Sequence, residues 1–147
     1  MMRNAAVGID IGDTKVAIAL VDEKGNTLVE TTIPTNVAKD SNVTMEQIIQ
    51  ETALLLRKTD MNVIGIGIGA LGPLDGEKGV ILSPPNLKTW HNYSVKEKIE
   101  REFGLKTVLA NDADAAAVGE YHFGVTEKHQ HIVYVTVSTG NWRWHSY

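Results

Sequence analysis

The sequence has no cysteine among its 147 residues. Disulfide frameworks and thiolate zinc sites are thereby excluded, and with them the small secreted scaffolds and zinc modules that depend on such cross-links. It also lacks any long charge-free apolar run, and the stretch Met1 to Ala6 is too short and polar to act as a signal peptide, with Asp10 breaking any apolar core behind it. A soluble, cytoplasmic protein with no membrane partner is the resulting expectation. Charge of one sign is equally scarce: 14 Lys and Arg stand against 18 Asp and Glu, a net charge of −4, with no basic stripe to follow a phosphate backbone. Nucleic acid is therefore not the expected partner. No repeat, heptad pattern or low-complexity segment supports a solenoid or coiled coil. The 43% hydrophobic content suffices for one compact domain, or for one lobe of something larger, while a complete two-lobe enzyme would not fit in this length.

Val7 to Ile11 and Val16 to Val21 are apolar runs separated by Gly12-Asp13-Thr14-Lys15, and a second turn at Asp22 to Asn26 precedes Thr27 to Ile33. Two hairpins of three antiparallel strands follow. Met45, Ile48, Ile49, Thr52, Ala53 and Leu56 recur at helical spacing between Asp40 and Lys58, behind a Thr44-x-x-Gln47 capping pattern. Val63 to Gly69 alternates β-branched residues with glycines, which predicts a buried strand with one bulky face and one open to a close backbone neighbour. Ala70 to Asn92 is rich in Gly, Pro, Asn and Asp, the composition of a functional loop or small hairpin.

Ser94-x-x-Glu97 opens a second helix to Phe103, Gly104 suits its C-terminal cap, and Leu105 to Ala110 is a strand with Asn111-Asp112 at its end. Ala113 to His122 reads as a helix and His131 to Val137 as a final strand. The fold class is α/β with a mixed sheet, in the order βββαβαβα plus one extra strand. By analogy of element order this is the ribonuclease H-like lobe that actin-like ATPases and sugar kinases use twice.

Chemistry can sit in three places. Asp10-Ile11-Gly12-Asp13-Thr14-Lys15 occupies the first hairpin turn, where the glycine lets backbone N–H groups approach phosphate oxygens, Thr14 and Lys15 add donors, and Asp10 can hold Mg2+ directly or through water. The same residues also make an ordinary turn. Asp112, between a strand and a predicted helix, is placed either to take a proton from an attacking hydroxyl or to cap the helix. Gly69 to Asp75 and Pro84-Pro85-Asn86-Leu87-x-x-Trp90 offer a rigid turn, an amide that donates and accepts, and an aromatic, which is the mixture a sugar needs. His129 and His131, without a third ligand nearby, read as surface residues rather than a metal site.

Taken in order, these pieces resemble the ROK family of sugar kinases and repressors, most closely its glucokinase-like kinases. The matching segments are Gly8 to Lys15, Gly65 to Asp75, Ser83 to Trp90, Ala110 to Glu120 and Val135 to Gly140, so the likeness runs from about residue 5 to residue 140. The resemblance implies ATP and Mg2+ as cofactors and a hexose as substrate. It implies Asp10, Gly12 and Thr14 as a first phosphate and Mg2+ site, to which Lys15 adds its donor, with Thr139 and Gly140 opening a second phosphate loop. Gly69, Ala70, Asn86 and Asn111 would be sugar ligands, and Asp112 the general base.

The sequence also departs from the family pattern. Asp13 stands where members often have glycine, and Leu71 where proline is common. After Gly140 the chain reads Asn141-Trp-Arg-Trp-His-Ser-Tyr147 in place of further glycines and a strand. The family's zinc motif is absent. The expectation is therefore an N-terminal lobe over residues 1–128, the first strand of a missing second lobe over 129–140, and an unrelated tail over 141–147 in which Trp142 and Trp144 have no evolved role. Such a truncated kinase lobe would be inactive alone. The strand 131–138, left with both edges unpaired, would pair with its equivalent in another copy as a homodimer, fold back on its own sheet edge or be disordered, the dimer being the first expectation. Two alternatives stand beside it: a sugar-sensing domain of a ROK regulator, and a ribonuclease H-like nuclease using Asp10, Asp112 and Glu46 around two metals.

Overall fold

A computed structural model of the chain describes residues 3–24, 26–35, 40–111, 117–126, 129–138 and 141–146, the last three segments as backbone. Strands β1 (Asn4–Ile11), β2 (Lys15–Asp22) and β3 (Thr27–Pro34) form the expected antiparallel hairpins. Helix α1 (Ser41–Lys58) then returns the chain to β4 (Asn62–Ala70), which pairs parallel to β1. A small hairpin of β5 (Leu74–Asp75) and β6 (Val80–Ile81), a 3-10 turn over Lys88–Trp90 and helix α2 (Val95–Phe103) lead to β7 (Thr107–Asn111), parallel to β4. The main sheet is five-stranded in the order β3-β2-β1-β4-β7.

Strand alternation divides this sheet into two unlike faces. Ile9 pairs with Ile18 on one side and Ile68 on the other, and Ile68 with Leu109, so four bulky side chains form one row, each at most 4% exposed. In the adjacent row Gly8 lies between Ala19 and Gly67. Met45, Ile48 and Leu55 of α1 and Val95 and Ile99 of α2 are buried in the same apolar core as the isoleucine row. The helices meet each other: the Tyr93 hydroxyl donates to Asn42 Oδ1 at 2.8 Å, Lys98 Nζ donates to the same oxygen at 3.1 Å, and that ammonium stands 4.7 Å from the Tyr93 ring centre.

Both helix starts differ from the sequence reading. Asp40, not Thr44, caps α1 by accepting from the Asn42 N–H, and Thr44 lies inside the helix with its hydroxyl donating to the Thr35 carbonyl. Ser94 occupies the N-cap of α2 without a side-chain hydrogen bond. In both cases a four-residue pattern reports only local options, and a partner distant in sequence took the Thr44 hydroxyl. Gly104 does close α2 in the left-handed region, its N–H donating to the Glu100 carbonyl.

The larger difference lies after β7. The helix expected over Ala113 to His122 is replaced, from Ala117 on, by strand β8 (Ala117–Thr126). It pairs antiparallel with β9 (His129–Ser138), and β9 pairs with β10 (Asn141–Ser146). Backbone pairing with β9 prevails there over the helical preference of the alanine-rich start, because Val118, Tyr121, Phe123 and Val125 are residues that a strand accepts as well. Both edges of β9 are therefore satisfied within the chain, and the unpaired edges on which the expected homodimer rested are gone. The residues 141–146, expected to be an idle tail, supply one of the two partner strands. The three-stranded sheet lies across the main one in matching lateral order, with β8 beside β4 and β7, β9 beside β1 and β10 beside β2. Among the described residues no helix is long and apolar enough to cross a membrane.

Two measurements test this description. Gly104→Ala meets no atom within 4 Å and so carries only the cost of a left-handed backbone, about 1–2 kcal/mol by urea denaturation. Gly79, at φ 71°, would in addition drive its new Cβ into the Lys96 side chain and should be destabilised more. Equal losses would contradict the packing of the β5–β6 hairpin on α2. Asp22 supplies a pH test: burial raises its pKa, but hydrogen bonds from the Asn26 N–H and side chain and from the Lys24 N–H outweigh it, and the group lies below the ordinary 3.8. With the folded value below the unfolded one, its contribution is present above about pH 4 and is lost as pH falls through the folded value. Asp22→Asn should flatten the fall of the urea midpoint over that window, and an unchanged profile would remove Asp22 from the β2–β3 turn's energetics.

Candidate functional site

The turn between β1 and β2 is closed by the Gly12 N–H, which donates to the Lys15 carbonyl at 2.9 Å. Glycine is favoured by proximity, since a Cβ at residue 12 would stand 3.0 Å from that same oxygen, a tight contact with backbone. Behind the turn lies Thr35, fully buried, whose hydroxyl donates to the Gly12 carbonyl at 2.8 Å and whose N–H donates to the Thr14 carbonyl at 3.0 Å. Thr14 and Lys15 are exposed, and their side chains enter no hydrogen bond among the described residues. The turn is held from behind and presents free donors in front.

The parallel pairing sets the second part of the site. Asp10, Gly69 and Ala110 form one row across β1, β4 and β7, and Ile11, Ala70 and Asn111 form the next. Neighbouring strands lie about 4.8 Å apart, so Asp10 and Asn111 stand at one carboxyl edge separated by roughly two strand spacings. Ligands bind at this edge in open α/β sheets. Four sequence-predicted residues, Asp10, Gly69, Ala70 and Asn111, thus lie at the same sheet edge beside the Gly12 turn, with Asp10 and Asn111 in adjacent rows that alternate between the two faces. Gly72 packs directly on the Asn111 amide, where a Cβ would come within 2.5 Å of Nδ2. The peptide Gly72-Pro73 is cis.

Asn86 lies apart from this edge, on the loop after β6. The Leu87 N–H donates to the Pro84 carbonyl at 3.1 Å, so Pro85 and Asn86 form the corner of a turn. Leu87 and Trp90, both 1% exposed, anchor that turn in the core and leave Asn86 exposed with its amide in no hydrogen bond among the described residues. Trp90 is not the sugar platform that its place in the motif suggested. It is buried against Tyr93, ring centres 4.9 Å apart, because a core anchor for this loop has more apolar area to bury than an exposed ring would have. Asp112, Thr139 and Gly140 lie outside the described residues. Sequence reasoning missed the supporting roles of Thr35, Thr44, Asn42 and Tyr93, whose long-range hydrogen-bond partners are 9 to 56 residues away in the chain.

The ROK family model matches residues 6–141. This chain belongs to the ROK family. Among curated ROK-related proteins, a glucokinase of Streptomyces coelicolor is 36% identical over 134 residues, covering 91% of this chain and 41% of the glucokinase. A xylose repressor of Caldicellulosiruptor bescii is 29% identical, covering 91% of this chain and 34% of the repressor. Among solved structures, a ROK family glucokinase from Streptomyces griseus in complex with glucose and AMPPNP superposes with a TM-score of 0.67 at 30% identity, over 95% of this chain and 46% of that one. The chain thus spans less than half the length of each of these three proteins, and its α/β mixed sheet is that of ROK sugar kinases.

Gly72→Ala should displace the Asn111 side chain while leaving the fold intact, because the clash falls on a terminal amide rather than on backbone. The readout is the Asn111 side-chain NH2 resonance pair. No shift in that pair, with Gly12 resonances also unmoved, would mean that loop 71–73 does not rest on Asn111.

Proposed function

We propose that this chain provides the N-terminal lobe of an ATP-dependent hexose kinase. The observation that carries the reading is the joining of Asp10, Gly69, Ala70 and Asn111 in two rows at the sheet's carboxyl edge, next to the Gly12 turn, in a ROK chain. Thr14 and Lys15 are the donors for nucleotide phosphates on the turn that Gly12 closes, a role that Thr139 and Gly140 share as the opening of a second phosphate loop. Asn86 and Asn111, with the backbone of Gly69 and Ala70, hold sugar hydroxyls. Asp112 takes the proton of the attacking hydroxyl as its oxygen bonds to the terminal phosphorus and ADP departs. Positioning supplies most of the acceleration in such a transfer, which is why these groups sit on strand ends and tied turns.

The donor set also fits Mg2+. Among the described residues no three His, Asp or Glu are grouped to enclose a metal, but Mg2+ on a nucleotide needs only one or two carboxylates and completes its shell with water and phosphate oxygens. Asp10 fills that role, directly or through water, and the ion supplies charge neutralisation across the phosphates. The division of the chain at residues 128 and 129 remains part of this proposal, and it falls in the connection between β8 and β9. The identity to a xylose repressor supports one second reading, a sugar-sensing domain that binds sugar without phosphoryl transfer.

By itself the chain offers one wall of a cleft, so glucose with Mg-ATP should give no phosphorylation above background. Joined to the C-terminal remainder of the Streptomyces coelicolor glucokinase, it should phosphorylate glucose, and Asp112→Asn should lower kcat by about 10² to 10⁴. Sugar binding by the joined protein without turnover would favour the sensor. Turnover undiminished by Asp112→Asn would take the base from Asp112.

A further inference from the structure

The candidate phosphate turn makes few contacts of its own, since Asp13, Thr14 and Lys15 are all exposed. Its position has to come from behind. Thr35 is the residue there, with no exposed surface, and it spends every polar group it has on a defined partner. Its hydroxyl donates to the Gly12 carbonyl at 2.8 Å and its N–H to the Thr14 carbonyl at 3.0 Å. Its carbonyl accepts from the Thr44 hydroxyl at 2.7 Å, and Thr44, 2% exposed, is fixed in the first turns of α1. Two carbonyls of the turn are gripped by one residue, and that residue is gripped by a helix. With these carbonyls held toward Thr35 and the Gly12 N–H closing the turn on the Lys15 carbonyl, the exposed Thr14 and Lys15 side chains are the groups left for an anion.

We infer that Thr35 is a positioning residue for the phosphate-binding turn 12–15, and that Thr44 is the fixed point against which it acts. The inference rests on the kinase-lobe reading for the word phosphate, whereas the clamp itself rests on hydrogen bonds alone. The hydroxyl of Thr35 is the decisive atom, because its N–H bond to Thr14 survives any non-proline side chain at residue 35. Thr44 extends the clamp into a shared support. The first turns of α1 also carry Asn42, which accepts from Tyr93 beside the Asn86 loop, so one helix end is tied both to the turn 12–15 and to the segment that carries Asn86.

The test uses the intact chain and its residue-resolved amide exchange. Thr35→Val keeps shape and removes the hydroxyl. Exchange at Gly12 and at residue 35 should accelerate several-fold to about tenfold, the range of one net hydrogen bond, while Ile9 and Ile68 in the sheet core hold their protection. Thr35→Ser should restore the wild-type pattern, and Thr44→Val should reproduce a milder form of the loss. Unchanged exchange at the turn in Thr35→Val would overturn the inference. So would equal acceleration at Ile9 and Ile68, which would make Thr35 a general core residue, and so would failure of serine to rescue. A second readout follows the amides of residues 12–15 on titration with Mg-AMPPNP. Wild type and Thr35→Ser should shift, and Thr35→Val should need a several-fold higher concentration. Absence of any shift in wild type, with the exchange result intact, would support the clamp and overturn the phosphate reading instead.

Discussion

The in-register pairing of β1 with its two neighbours is the constraint on which the rest of the molecule depends. Ile9 opposite both Ile18 and Ile68 buries the bulky face, and that same register delivers Asp10 beside Gly69 and Ile11 beside Ala70. A slip of one residue would send the isoleucines to the glycine-lined face and Asp10 into the helix-covered core, so burial enforces the register strongly. The strand positions of Asp10, Gly69 and Ala70 are thus a by-product of hydrophobic packing at the residues just before them.

What the strands cannot provide is the placement of the connecting segments, and here α1 has a role beyond covering the sheet. Its first turns receive Thr35 through Thr44 and Tyr93 through Asn42, so the two excursions that carry candidate ligand groups are both tied to one rigid end. Each tie is a hydrogen bond with at least one half-buried or buried partner, where leaving a group unpaired costs about 1–3 kcal/mol. The loop that carries Asn86 gains a further anchor from Trp90 and Leu87, which exchange any direct ligand contact for core burial. A pattern emerges in which exposed, unspent polar groups sit on backbones pinned by buried neighbours, the arrangement that pre-organises a binding surface at low entropic cost on binding. The hexose-kinase proposal and the role inferred for Thr35 both draw on that pattern.

The sheet made by β8, β9 and β10 follows a different logic. Its strands satisfy one another in sequence order, and their lateral match to β4, β1 and β2 brings a second backbone layer close to a sheet that carries glycine at residues 8, 65, 67 and 69. A strand that would otherwise expose two free edges is made safe by antiparallel neighbours on each side. This arrangement uses the residues 141–146, although the family match ends at residue 141.

By itself the sequence determined the elements whose signal is local and periodic. The three N-terminal strands, α1, the glycine-alternating β4, the Gly104 cap, β7 and the α/β class were all legible, because side-chain alternation and turn residues act within a few positions of one another. The ROK motifs were legible for the same reason, each being a short contiguous string. Only the tertiary structure decided which groups meet across the chain. Thr44 looked like a helix cap and became a support for Thr35, and Trp90 looked like a ligand platform and became core. The segment from Ala117 looked helical and became a strand once β9 was there to pair with it. In each case the local preference differed among alternatives by no more than about 1 kcal/mol, and a buried long-range partner was worth more.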